Sequence, residues 1–382
     1  MLQSHSILVA VTLGLLLIPV ILIYRFKGWS KSAPSPTILR RLWLRPKQSS
    51  EIVSLRMYPI KSCRGLEVHS TVLKQHGLEL DRRWMLVDAS SNQFLTIRQI
   101  PDMTRIRTAL SADGDELVVS IPKAKTTQTG PNQDHDQDQD SHTIHIPSHP
   151  SREWLAANTK ISSVHIWDTE TDGYMYSDET NAPFSAFLGR DVALVYKGPT
   201  PRVLKGNGAP HRLGRVQTTG FPDVHPVLIA SETSLSELNV RLRQAGEDPI
   251  TVERFRPNIV VRGGVPWSED SWKSIRITGQ RASGSSEDSS SPSQASYEAP
   301  LDLDIVARCA RCQVPNVDPE TAHKHKKQPW DTLMSYRRID EGIKYKPCFG
   351  MLSAPRNEGP LEVGMRLEVL EETTKHRYIT GF

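Results

Sequence analysis

Cys309 and Cys312 stand three residues apart in the stretch Cys309-Ala310-Arg311-Cys312, and of all the side chains in this sequence they have the widest chemical reach. A thiolate is a soft ligand for transition metals, and a strong nucleophile where its pKa is depressed. Three readings compete. A structural zinc site needs two more ligands, yet Cys63 and Cys348 are isolated and no second CxxC accompanies the pair. A redox dithiol normally opens a helix after a strand, whereas Pro315 and Pro319 oppose a helix here. The plainest alternative is two small thiols packed at the end of a strand.

Other residues invite chemistry less strongly. His142, His145 and His149 have a spacing that suggests a metal, but a strand through Thr143 and Ile144 turns them to different faces, so metal binding is not expected there. The basic loop over residues 202–215 (RVLKGNGAPHRLGR) suits either an anionic ligand or an acidic partner, or is simply a solvated charge run.

The elements that must position these residues are mostly strands. Short β-type runs recur over residues 52–57, 83–87, 94–98, 105–110 and 117–121, separated by turn signals such as Ser90-Ser91-Asn92. Helices are expected over residues 150–158 and 180–188, the second closed by Gly189, and they lead into a strand at 192–196. A second unit follows: a strand at 226–230, a helix with Leu235, Leu238 and Leu242 on one face, then strands at 258–262, 275–278 and 301–307. Two polar low-complexity runs, residues 123–141 and 280–296, bury too little apolar surface to offset the entropy of ordering and are expected as disordered insertions, the second as an enlarged hairpin loop.

Composition bounds the rest. The chain has 382 residues, 37% hydrophobic and 24% charged, enough for a sizeable core, and a net charge of +4 is far milder than a nucleic-acid binder carries. Four unevenly placed cysteines do not make a disulfide scaffold. Residues 6–24 (SILVAVTLGLLLIPVILIY) contain no charge and span roughly 28 Å as a helix, at about 1.5 Å per residue. No basic segment precedes them and no clear small-residue cleavage site follows, which favours a retained anchor over a signal peptide. Arg25, Lys27, Lys31, Arg40, Arg41, Arg45 and Lys47 follow the anchor, so the body of the protein is expected to face the cytosol. The expected organisation is an anchor over residues 1–25, a basic linker over 26–50, and two domains over 51–188 and 189–372.

Four stretches, in order, carry a resemblance: YPIKSCRG, LDRRWMLVD, FRPNIVVRG, and LDLDIVARCARCQVPNVDPET with the later WDTLMSYR. Over most of residues 51–370 the chain resembles the MOSC-domain family, and within it the mitochondrial amidoxime-reducing components. The fold this implies is α+β and predominantly β: a MOSC β-barrel with a β-rich amino-terminal domain, preceded by one transmembrane helix. The implied cofactor is molybdenum-molybdopterin, with Cys312 as metal ligand and Cys309 a packed neighbour. Arg311, beside Cys312, favours the thiolate electrostatically. The resemblance puts the cofactor phosphate at Lys61, Ser62 and Arg82 and the pterin at Arg256 and Asn258, whose guanidinium fork and amide suit a planar polar edge. Ala310 and Arg311 complete the implied set. Asp223, in FPDVHP, matches an acidic position near the metal that orients a proton or the substrate.

The implied reaction is two-electron reduction of N-hydroxylated compounds such as amidoximes. No GxGxxG fingerprint follows a strand, so direct hydride delivery from a nicotinamide is not expected. The implied electron donors are a b5-type cytochrome and its NADH-dependent reductase, at the outer mitochondrial membrane. A sulfur-carrier or cofactor-handling role, like that of the MOSC part of molybdenum-cofactor sulfurases, is the alternative; a non-catalytic membrane adaptor is a third. The chain departs from the family pattern at Pro315 and Asn316, where a threonine pair is usual, and at Ala322, where a glycine is.

Overall fold

The computed structural model describes residues 48–123, 141–279 and 299–381. The expected anchor lies outside the described residues, as do the linker up to residue 47, nearly all of the first insertion and all of the second. Among the described residues, no helix is long and apolar enough to cross a membrane.

The described chain opens with strands β1 (Ser49–Met57), β2 (Leu66–Val68), β3 (Ser70–Lys74), β4 (Gly77–Leu78), β5 (Trp84–Asp88), β6 (Arg107–Leu110), β7 (Glu116–Pro122) and β8 (Ser141–Pro147). Helix α1 (Arg152–Asn158), strands β9 (Thr159–Ile166) and β10 (Thr169–Tyr176), helix α2 (Asp178–Leu188) and strand β11 (Val192–Lys197) follow. Next come β12 (Arg202–Val203), α3 (Pro210–Leu213), β13 (Thr218–Thr219), β14 (Val227–Ser231), α4 (Glu232–Gln244) and β15 (Ile259–Val261). The last elements are β16 (Trp272–Thr278), β17 (Leu301–Ala310), α5 (Trp330–Tyr336), β18 (Cys348–Pro355), β19 (Gly359–Glu362) and β20 (Arg366–Glu372).

Strands β15-β14-β18-β17-β16-β20-β1 form a ring, because β15 pairs back onto β1 through Ile52↔Val261 and Leu55↔Ile259; β2 hangs on β1 outside it. Closure removes the exposed edges that an open sheet would present. The alternation Leu301-Asp302-Leu303-Asp304-Ile305 shows why β17 belongs there: the apolar residues point into the barrel and the carboxylates point out to Arg276, Arg215 and Arg356. Ile52, Leu55, Ile229, Ile259, Ile275, Leu303 and Leu367 fill the interior, all fully buried; each such side chain contributes about 1.5–3 kcal/mol. Strand β1 comes from the amino-terminal segment but is a stave of this barrel, so the sheets cross the expected boundary at residues 188 and 189.

A second sheet, β5-β11-β10-β9, and a three-stranded sheet, β6-β7-β8, enclose a separate core around Trp84, Leu86, Val119, Phe184 and Leu194. Gly189 caps α2 in left-handed backbone, as the sequence indicates. Strands β16 and β17 pair antiparallel on either side of the second insertion, which is therefore a hairpin connection. The run over residues 94–98 is not a strand. Phe94 makes one bridge to Val87, and the chain then turns through residues 97–99, closed by Gln99 N–H donating to the Thr96 carbonyl.

Candidate functional site

Loops from both halves enclose a cavity of about 290 Å³ beside the ends of β14, β15 and β17. All nine residues singled out by resemblance line it: Lys61, Ser62, Arg82, Asp223, Arg256, Asn258, Ala310, Arg311 and Cys312. Three of them sit in left-handed backbone, Ser62 at φ 70°, Arg82 at 48° and Arg256 at 57°. Such a conformation costs a non-glycine residue roughly 1–2 kcal/mol and is kept where a side chain must be aimed.

Arg82 ties the loop before β5 to the approach to β15. It donates to Asp81 (2.6 Å), to the Asn258 side-chain oxygen (3.2 Å) and to the Arg256 carbonyl (3.2 Å). Beneath it Tyr58 receives two guanidinium groups on its ring, Arg82 at 4.7 Å and Arg256 at 4.2 Å from the centroid. Burial pushes the Tyr58 phenol up to about 12, against the pull of Arg256. The Asn258 amide is largely used by the protein: its oxygen also accepts Leu228 N–H (3.1 Å), and its nitrogen donates to the Arg56 carbonyl (3.3 Å).

The other end of the cavity is an ion cluster. Asp223 accepts from Lys61, from Arg98 (2.6 Å) and from the Trp167 indole (3.2 Å), and Lys61 also donates to the Phe221 carbonyl (2.9 Å). Burial alone would raise the Asp223 carboxyl, but Lys61 and Arg98 together hold it well below the usual carboxylate range. Burial lowers Lys61 to about 8 despite Asp223. Arg98 also donates through Nε to the Cys312 sulfur at 3.2 Å. The cation next to the Cys312 sulfur is therefore Arg98, and the expected role of Arg311 needs correction. Strand β17 ends at Ala310, and Arg311 folds back to Cys309 Sγ (3.0 Å) and the Phe255 carbonyl (2.9 Å). Burial raises the Cys309 thiol even with Arg311 beside it, as suits a packed neighbour.

Lys61, Arg82, Arg98, Arg256, Arg311 and Lys346 line the cavity, and among the described residues Asp223 is the single carboxylate that does so. Several buried polar atoms have no partner: Nη2 of Arg256, Nε of Arg311 and both ring nitrogens of His225. Buried donors left unpaired cost free energy, so this pattern is that of a site completed by a ligand. The chemistry on offer is two soft thiols, each beside a guanidinium, surrounded by donors for an anionic, acceptor-rich molecule.

Arg98, Trp167 and His225 were not singled out by the sequence. Arg98 lies in the run read as a strand, and no local signal marks it. The basic loop is divided: Arg202 is buried and donates to the carbonyls of Gly220, Pro222 and Asp223, half-buried Arg215 pairs with Asp304, and Lys205, His211 and Arg212 are exposed. Arg202 and Arg215 thus support the Asp223 loop and the barrel rather than a ligand. Of the histidines, His145 on β8 pairs with Glu116 on β7, and no metal-binding group of His, Cys, Asp and Glu occurs among the described residues. Asn316 bonds His325 O and Trp330 N–H, a structural role, while Ala322 keeps left-handed backbone (φ 60°) where the family carries glycine.

Residues 49–191 match the MOSC N-terminal beta barrel domain and residues 216–368 match the MOSC domain. The chain is 28% identical to mitochondrial amidoxime-reducing component 1 of Homo sapiens over 342 residues, covering 86% of this chain and 85% of that protein. It is 27% identical to mitochondrial amidoxime reducing component 2 of Bos taurus, covering 88% and 86%. Against molybdenum cofactor sulfurase of Oryza sativa subsp. japonica it is 29% identical over 78% of its own length, spanning 32% of that protein. With both domain signatures in order around one polar cavity, the chain belongs to the MOSC-domain family.

Proposed function

We propose that the cavity binds a molybdenum–pterin cofactor and that the protein is a reductase of N-hydroxylated compounds such as amidoximes. The observation that carries this reading is the Cys312 thiol, bonded by Arg98 and set in a cavity with a surplus of cations and unpaired arginine donors, while the neighbouring Cys309 is taken up by Arg311. One thiol is not a metal site by itself, so a metal there must arrive on a group that brings its own ligands; a dithiolene does so, and its sulfurs suit a soft site. The residues fit: Lys61, Ser62 and Arg82 would hold the phosphate, Arg256 the pterin edge with the remaining Asn258 N–H, and Cys312 the metal, with Ala310 and Arg311 as the adjoining wall.

When bound, the cofactor supplies the two-electron chemistry that breaks the substrate N–O bond and releases water. The chain's own residues hold and orient. Asp223, kept ionised, fixes Lys61 and Arg98 and is an acceptor rather than a proton donor. Protons for the departing oxygen then come from solvent. Electrons come from a b5-type cytochrome and its NADH-dependent reductase, held with the anchored protein at the outer mitochondrial membrane. The names of the human and bovine relatives support a mitochondrial setting.

The sulfurase match favours a second reading, in which Cys312 carries sulfur or holds cofactor in transit. One experiment separates them: molybdenum and pterin content of wild type and Cys312→Ala, each assayed with chemically reduced dye and benzamidoxime. We expect about one molybdenum per wild-type chain and a loss of reduction of at least about a hundredfold in the variant. Cofactor without N-reduction in wild type would favour the carrier, and absence of cofactor after expression in a competent host would overturn the molybdenum proposal.

A further inference from the structure

Residues 373–381 follow β20 with no regular secondary structure, beyond the matched MOSC domain. They are nonetheless fastened at four consecutive residues, 376–379. Arg308 donates to the His376 carbonyl (3.0 Å), and the His376 ring lies 2.6 Å from the Trp272 carbonyl. Tyr378 N–H donates to Asp340 (2.8 Å). Asn207 grips the segment from both sides, its amide donating to the Arg377 carbonyl (3.0 Å) and its oxygen accepting Ile379 N–H (2.7 Å). The threading is tight: a side chain added at Gly342 would collide with the Tyr378 carbonyl, and one at Gly206 with the Ile379 carbonyl. On the other side of the same Gly206-Asn207-Gly208 bracket, Gly208 backs His225 of the cavity.

This fastening places Tyr378 and Thr380 in the cavity lining. Tyr378 is 6% exposed and packs on Leu228, Ala307 and Leu352, against Cys309 and Ala310. We propose that residues 376–381 are an integral wall of the ligand cavity, with Tyr378 the contact residue that covers it beside Cys309 and Asn207 the clamp that keeps the wall closed. Tyr378 gives the wall one aromatic ring, which suits a flat ligand surface, and Thr380 gives it a hydroxyl. The Gly-Asn-Gly turn, which in sequence reads as part of a basic loop, then serves as the bracket of that wall.

The proposal rests on this cavity being the ligand site, but the main test does not require the ligand to be a pterin. The full chain, as purified, is labelled with iodoacetamide, and modification is followed at each cysteine by peptide mass spectrometry. Cys63 and Cys348 are fully buried and report general loosening. In Tyr378→Ala and in Asn207→Ala we expect Cys309 to label about tenfold faster, equivalent to roughly 1.4 kcal/mol of easier access, with Cys63 and Cys348 unchanged and Tyr378→Phe behaving as wild type. Wild-type labelling of Cys309 in both variants, or equal acceleration at Cys63 and Cys348, would overturn the wall. Release of bound pterin, read by fluorescence after oxidation, should accelerate in the same two variants. If the wild type carries no pterin, the proposed function fails, while the cysteine labelling still decides the wall.

Discussion

The barrel interior and the cavity beside it are built from the same strands on opposite principles. Inside the barrel, the buried side chains of β1, β14 to β17 and β20 are apolar and bury one another. A few residues further along the same chain, the cavity holds arginines with unpaired donors, three left-handed non-glycine residues and an ion cluster around Asp223. The first arrangement lowers the free energy of the folded chain; the second raises it and persists because the first is stable enough to hold it. Left-handed residues and unpaired buried atoms also occur elsewhere, at Leu80, Trp267, Arg56 and Glu269 for example, so what marks this cavity is their coincidence there with a surplus of cations.

The contrast can be broken by substitution, and the largest expected effect lies in the barrel. Leu303→Ala removes a fully buried side chain from the interior and should cost about 3 kcal/mol in urea unfolding; a cost below about 1 kcal/mol would mean that the barrel is not where stability resides. In the cavity the effect should reverse. Arg256→Ala removes an unpaired buried donor and should leave cofactor-free stability unchanged or raised while abolishing pterin retention. Arg256→Gly should be more stable than Arg256→Ala by about 1 kcal/mol, because glycine accepts the left-handed backbone. If alanine is the more stable of the two, the strain is not real.

The smallest effect is a pH slope. Lys61 titrates near 8 in the folded protein and at the ordinary 10.5 when unfolded. Its folded value is the lower one, so between those limits the unfolded chain binds more protons and stability rises with pH. Relative to Lys61→Met, the wild type should therefore gain in melting temperature from about pH 8 to 10.5, and parallel profiles would show that Lys61 is not buried as a charge.

Much of the barrel is visible before folding. The alternation from Leu301 to Ile305 and the apolar run of β14 each state which face is buried, because side chains alternate along any extended chain. The cysteine pair and the Arg-Pro-Asn segment mark the site because they resemble a family pattern, whereas composition alone left the thiols open to several chemistries. Arg98 went unmarked although it touches both Asp223 and Cys312, and it lies 214 residues from that cysteine. Tyr378 and Asn207 were unmarked for the same reason, their partners being distant in sequence and their residue types unremarkable.

By itself, then, the sequence determined the class of fold, most strands and their buried faces, and, with the resemblance, nine residues that line one cavity. Tertiary structure decided which cation lies beside Cys312, that β1 closes the barrel, and that Tyr378 and Thr380 reach the cavity lining. Periodicity and local propensity are properties of neighbouring residues and can be read in order along the chain. Contacts between turns hundreds of residues apart exist only after the barrel closes and brings those turns together.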